Sequence, residues 1–171
     1  MPVNDIQSHI EKQFDEITIT AAFLNARMDV SREAHQASNI KLCEALQTGP
    51  ARYLLKQSSR YLTILLCPVF DADTDERVTL RKFARATNAD SDYVILERNH
   101  AKVLGILKNF RNAEISHLIP KLAEQMKDDL VLHEVLDLAN DARNLVEKIT
   151  NRAFSSATWR DECLKFWRSV S

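Results

Sequence analysis

Glycine is nearly missing from this chain, with two in 171 residues, and proline is scarce at four. With only Gly49 and Gly105 available, no Gly-rich loop can cradle a phosphate. P-loop and dinucleotide-binding readings are therefore excluded, and no G-x-S-x-G nucleophile elbow exists. So few breakers, and no Val/Ile/Thr alternation, also argue against a β-rich fold. Cysteine is sparse. Cys43, Cys67 and Cys163 are odd in number, far apart and without C-x-x-C spacing. That speaks against a disulfide framework or a structural zinc site and predicts a reducing, cytoplasmic setting. No apolar run reaches the ~18 residues a membrane span needs. The polar start Met1-Pro2-Val3-Asn4-Asp5 predicts no signal peptide. Charge of one sign is also lacking: 23 basic against 24 acidic residues give a net charge of −1. Long-range attraction to nucleic acid is absent, so any such contact would need a local basic face.

What the chain does have is helical periodicity. Ile6, Ile10, Phe14, Ile17, Ala21, Leu24 and Met28 recur at steps of three and four, which predicts one long amphipathic helix. The stripe weakens around residues 29–31, and helix is expected to resume to about Gln47 with Ala34, Ala37, Leu42 and Leu46 inward. Thr48-Gly49-Pro50 reads as a stop and a restart. The next helix is broadly apolar, which predicts a central position, and Pro68 is expected to end or kink it. Residues 71–75 read as a polar loop, and Thr79 starts a short helix to about Ala86. After a loop at 88–92, one long helix is expected, with Leu96, Val103, Leu107 and Phe110 on one face. Pro120 marks a bend. Leu132, Val135, Ala139, Ala142, Val146, Ile149 and Ala153 keep heptad spacing, a seam that could pack inside the monomer or against a second copy. A short terminal helix carries Trp159, Cys163, Phe166, Trp167 and Val170. These pieces predict one all-α domain over residues 1–171, an up-and-down bundle of long antiparallel helices with 155–171 docked on it as a terminal helix.

Two short patterns imitate metal sites. His133-Glu134-Val135-Leu136-Asp137 resembles H-E-x-x-H with Asp in the last place, but no third ligand presents itself. A surface contact one helical turn long is the better reading. Asp71, Asp73 and Asp75 alternate like an EF-hand loop, yet Glu76 and Lys82 stand where Gly and Glu are required. No metal or other cofactor is expected.

The segment Arg111-Asn112-Ala113-Glu114-Ile115-Ser116-His117 places a permanent cation, an amide and an imidazole within seven residues. With 13 Arg and 5 His, an Arg-to-His match at this spacing arises about once by chance; requiring Asn after the Arg lowers that to about 0.07. On a straight helix Arg111 and His117 lie about 9 Å apart along the axis and roughly 120° apart around it. One phosphate could meet both only at a bend or across a two-fold axis. A bland alternative remains open. Glu114 is three residues from each and could pair with either, a surface cluster worth a few tenths of a kcal/mol, and spacing alone favours it.

The string R-N-A-E-I-S-H resembles the signature of the HEPN superfamily, in which Arg is followed after four to six residues by His, often with Asn or Asp directly after the Arg. The form R-N, four residues, H after an apolar helix is most similar to the abortive-infection AbiU-like branch. Gly49-Pro50-Ala51-Arg52-Tyr53 ahead of an apolar helix, and Val69-Phe70-Asp71 followed by Val78-Thr79-Leu80-Arg81-Lys82, also resemble that branch. The likeness covers roughly residues 49 to 117. Branch members often have Lys after the R-N pair and Ala before the His; Ala113 and Ser116 stand there in this chain.

The resemblance implies a helical homodimer acting as a metal-independent endoribonuclease, of the toxin or antiphage kind, with an antitoxin or regulatory protein as a further partner and no membrane partner. Arg111 would hold the scissile phosphate, His117 would move protons and Asn112 would orient the phosphate or an imidazole. Lys108, Lys121 and Lys127, with a second cluster at Arg81, Lys82 and Arg85, are the cations expected to contact RNA. Each is equally readable as part of a solvated helix face. The alternative is a non-catalytic HEPN-like dimeric module that binds a nucleotide or a protein. A third reading is a helical adaptor that docks through Trp159, Phe166 and Trp167, although such a face is more often core.

Overall fold

The computed structural model describes residues 2–72, 77–115, 129–154 and 157–170, with backbone alone at 109–115, 129–131 and 157–158. Eight helices and no strands occur among the described residues: α1 (Val3–Gln36), α2 (Ile40–Gln47), α3 (Gly49–Val69), α4 (Leu80–Ala86), α5 (Asp90–Asn99), α6 (Ala101–Ile115), α7 (Asp129–Thr150) and α8 (Ala157–Arg168). They form a helical bundle. None is long and apolar enough to cross a membrane.

The centre of the bundle is α1, not α3. Ile6, Ile10, Phe14, Ile17, Ala21 and Leu24 are all buried, and α1 packs against α2, α3, α4, α7 and α8. In α3 the row Leu62, Leu66 and Val69 is fully buried in the main core, with Ser59 and Thr63 beside it and Leu55 and Leu65 only partly buried against it. Tyr53, Tyr61 and Ile64 stay exposed, so the apolar breadth that suggested a central place is partly a solvent face.

The expected weakening at residues 29–31 does not break α1. Val30 and Ala34 are buried there and carry the helix onward to Gln36. The break comes at Ser38, which adopts a left-handed φ of 53°. The Ser38 N–H bonds the His35 carbonyl at 3.1 Å and the Asn39 N–H bonds the Ala34 carbonyl at 2.9 Å. This wraps the helix end as in a Schellman turn. Ala37 is consequently exposed rather than inward. The Asn39 side chain then accepts from the Leu42 N–H at 3.2 Å and starts α2. Asn88 (φ 60°) and Asn151 (φ 52°) follow α4 and α7 in the same left-handed region. In a chain so poor in glycine, Asn takes the position glycine usually fills.

The long helix expected after residue 92 begins at Asp90 and is broken at His100 into α5 and α6. His100 (φ −113°, ψ 21°) leaves helical geometry, and its Nε2 meets Asp141 Oδ2 of α7 at 2.8 Å. Leu96, Val103 and Leu107 nevertheless share the core face. Phe110 lies among the residues described by backbone alone.

The heptad seam of α7 packs inside the chain. Leu132, Val135, Ala139, Ala142 and Val146 are buried in the main core, with Ile149 packed against it. Ala153 lies past the end of α7 and is exposed. A second, smaller core joins Ala26, Val30, Leu46 and Ala51 to Trp167 of α8. Trp167 is fully buried, whereas Trp159 and Phe166 are exposed.

Candidate functional site

The candidate segment begins on α6. That helix is held from below by Val103 and Leu107 in the core, and Cys67 Sγ of α3 lies 3.7 Å from the Leu107 carbonyl. Two contacts fasten its start to α7: His100 with Asp141, and Lys102 Nζ with Glu134 Oε1 at 2.7 Å. Buried apolar rows and paired polar rims thus fix α6 between α3, α5 and α7. The backbone at Arg111 and Asn112 belongs to the last two turns of α6. Their side chains are not among the described residues, and His117, Lys121 and Lys127 lie outside them altogether. Lys108, one turn before Arg111, is exposed on α6.

The second cationic cluster sits on α4, which packs against α1 and α5. The Thr79 hydroxyl accepts from the Lys82 N–H at 3.1 Å and caps the helix. Arg81 lies over the Tyr93 ring with its guanidinium carbon 5.9 Å from the ring centroid. Lys82 Nζ reaches the Arg77 carbonyl at 3.4 Å, and Arg85 Nε pairs with Asp90 Oδ1 at 3.2 Å. All three cations thus have partners within the protein. α4 and α6 share α5 as a common neighbour.

His133 Nε2 and Asp137 Oδ2 are 3.5 Å apart and both side chains are more than half exposed, a surface pair. Asp71 is tied to Arg77 by an ion pair, while Asp73 and Asp75 lie outside the described residues. Among the described residues no group of three or more His, Cys, Asp or Glu side chains could hold a metal.

One recess escaped the sequence reading entirely. A cleft of about 330 Å³ opens between α1, α7 and α8. Thr18, Asn25, Asn140, Arg143 and Arg160 line it, with Asp29 at one edge. These residues come from three segments up to 142 positions apart (160 − 18), so no local motif could reveal them. Comparison of the chain with protein-family profiles, with curated proteins and with solved structures finds no match.

Proposed function

We propose that this chain is a metal-independent endoribonuclease of the HEPN type, acting as a homodimeric up-and-down bundle of antiparallel helices. The observation that carries this reading is the constellation of Arg111, Asn112 and His117, with Asn directly after the Arg. The helical fold and the placement of Arg111 and Asn112 on a helix anchored in the core are compatible with it. The α7 seam is already occupied within the chain, so the proposed dimer uses another face.

The chemistry follows from the residue types. A guanidinium stays charged at all relevant pH and offers bidentate donors, so Arg111 binds the scissile phosphate and stabilises the charge it gains. An imidazole titrates near neutrality, so His117 exchanges protons with the reacting oxygens. The ribose 2′-OH loses its proton and its oxygen bonds to the adjacent phosphorus. The bond from phosphorus to the 5′ oxygen breaks and that oxygen gains a proton, leaving a cyclic 2′,3′-phosphate and a free 5′-OH. DNA, which has no 2′-OH, is not cut. In this reading the enzyme serves as a toxin or antiphage effector in the cytoplasm and is held in check by a protein partner.

The test is incubation of the purified chain with a mixed RNA pool in the presence of a chelator. Cleavage that persists there, and is lost in Arg111→Ala and His117→Ala while the helical circular dichroism signal remains, supports the nuclease. Absence of cleavage at micromolar enzyme refutes it. A second reading is favoured by Ala113, which stands where members of the branch it resembles often carry Lys: a non-catalytic dimeric module that binds a nucleotide or a protein. It is supported if RNA or nucleotide is bound without being cut.

A further inference from the structure

We propose that the cleft between α1, α7 and α8 is a binding site for the phosphate group of a small polar phosphate monoester. This inference is independent of the nuclease reading.

The cleft exists because of where small residues fall. Thr18, Ala21, Ala22, Asn25 and Asp29 recur at helical spacing and form one stripe of α1 facing the recess. Ala21 and Ala22 leave open the space that larger residues such as Ile17 and Leu24 fill elsewhere on the same helix. Asn140 and Arg143 on α7 and Arg160 on α8 close the other sides. The resulting 330 Å³ lies at the small end of ligand pockets, and its walls are polar.

Two buried polar atoms of its lining residues make no hydrogen bond. Thr18 is only 4% exposed, and its Oγ1 is buried without a hydrogen bond. Buried hydroxyls in folded proteins are nearly always bonded, and an orphan calls for an explanation such as a ligand. Arg143 Nε is likewise buried without a hydrogen bond. Its nearest carboxylate is Glu147 Oε1 at 3.9 Å, beyond hydrogen-bond range, and that oxygen already accepts from the Phe154 N–H at 2.8 Å. The Arg143 Nη2 contact to Asn144 Oδ1 is long, at 3.5 Å. Arg160 differs: its Nη2 bonds Asp29 Oδ2 at 2.9 Å, and Asp29 Oδ1 also faces Arg32 at 3.5 Å.

Arg160 is tied closely to Asp29 whereas Arg143 is only loosely paired with Glu147, so Arg143 is the cation with a hydrogen-bond donor unused. A hydroxyl, two amides and two guanidiniums line the recess from three helices. A carboxylate would be satisfied by one fork, whereas a tetrahedral oxyanion accepts from several directions at once. Asn25 and Asn140 suit the hydroxyl-bearing body attached to it.

The experiment is differential scanning fluorimetry and isothermal titration calorimetry on the full chain at low salt. The probes are inorganic phosphate, ribose 5-phosphate and adenosine 5′-monophosphate, with acetate as the carboxylate control. The expected result is a higher melting temperature with a phosphate probe and none with acetate. Stronger binding of a monoester than of inorganic phosphate identifies the body as part of the ligand; equal binding assigns the site to free phosphate. Arg143→Gln should weaken binding at least tenfold. Thr18→Val, which removes the orphan hydroxyl at constant shape, should raise the melting temperature of the free protein yet diminish the phosphate-induced shift. That combination keeps the test valid even if Arg143→Gln folds poorly. Arg111→Ala removes any phosphate held at the nuclease segment, so the phosphate-induced shift that survives in Arg111→Ala and disappears in Arg143→Gln belongs to the cleft. Binding lost in Arg111→Ala but kept in Arg143→Gln would assign the anion to the nuclease segment and overturn the cleft proposal. Equal response to acetate, or no response to any phosphate probe, would show a recess that holds only water and would overturn it as well.

Discussion

The indole Nε1 of Trp167 donates to the main-chain carbonyl of Phe23 at 2.9 Å, across 144 residues of sequence. The Phe23 ring lies 4.8 Å from the Trp167 ring and 5.6 Å from that of Phe166. Trp167 is fully buried, so this pair is the peg that fixes α8 on α1. Truncation to Ala should cost about 3–5 kcal/mol, the range for large aromatic deletions in a core. Trp167→Phe keeps most of the ring contact and should cost far less, with about 1 kcal/mol coming from the lost hydrogen bond. Urea denaturation of both variants checks this; a Trp167→Ala midpoint equal to that of the parent chain would refute it. The adaptor idea therefore cannot be probed through Trp167, because loss of partner binding would only report loss of fold. Exposed Trp159 and Phe166 are the informative positions for that question.

Backbone conformation makes opposite predictions at two turn residues. Ser38 holds a left-handed φ of 53° and is exposed. A side chain in that region costs about 1 kcal/mol, which glycine avoids. Ser38→Gly should therefore raise stability by a few tenths to about 1 kcal/mol. Gly49 has φ +50° with open space around it, so Gly49→Ala should lower stability by about 1 kcal/mol through backbone strain alone, with no steric clash. Thermal unfolding of the two variants should move in opposite directions. Movement in the same direction would mean that the turns relax and that the left-handed geometry is not enforced.

Much of the bundle was legible because its signals are local. The α1 stripe from Ile6 to Leu24 is buried as its spacing demands, and the α7 seam from Leu132 to Val146 fills the core. Thr79 and Thr48-Gly49-Pro50 mark helix starts through capping and backbone chemistry that needs no tertiary contact. The misses have tertiary causes. The break at His100 goes with a contact to Asp141, 41 residues away, and α1 runs through residues 29–31 because α8 covers that stretch, Arg160 bonding Asp29. The polar cleft was invisible because Thr18, Arg143 and Arg160 converge only in the fold. The side chains of the Arg111–His117 segment lie outside the described residues, so the proposal made for them rests on the sequence.

Burial in the second core gives Cys163 a distinct reactivity. The thiol is pushed above its ordinary range first by desolvation and then by the nearby Glu162 carboxylate. The thiolate is the nucleophile, so fewer reactive molecules exist at neutral pH than for a free thiol. Alkylation of Cys163 by iodoacetamide should be slow at pH 7 and should accelerate at a higher pH than a cysteine model peptide does. Peptide mapping by mass spectrometry at several pH values reads this. The direction of linkage is fixed as well. A raised folded-state value means that the folded chain holds the thiol proton more tightly, so the associated stability is present below the ordinary thiol value and is lost as pH rises through the elevated one. Rapid alkylation at pH 7 in the folded protein would contradict the burial argument.

Lys108 offers a test of RNA contact separate from cleavage. It is exposed on α6 one turn before Arg111, the position from which a lysine would reach a neighbouring phosphate if the nuclease reading holds. Each phosphate neutralised on a single strand adds about −0.7 to the slope of log affinity against log salt. In a His117→Ala background that binds without cutting, Lys108→Gln should flatten the slope by about 0.7 and weaken binding uniformly across RNA sequences. Arg85→Gln serves as the comparison, because Arg85 is paired with Asp90 and spends part of its charge inside the protein. Fluorescence anisotropy over a salt series measures both. A Lys108→Gln slope identical to that of the parent would place the RNA path away from this face of α6, even if cleavage itself were observed.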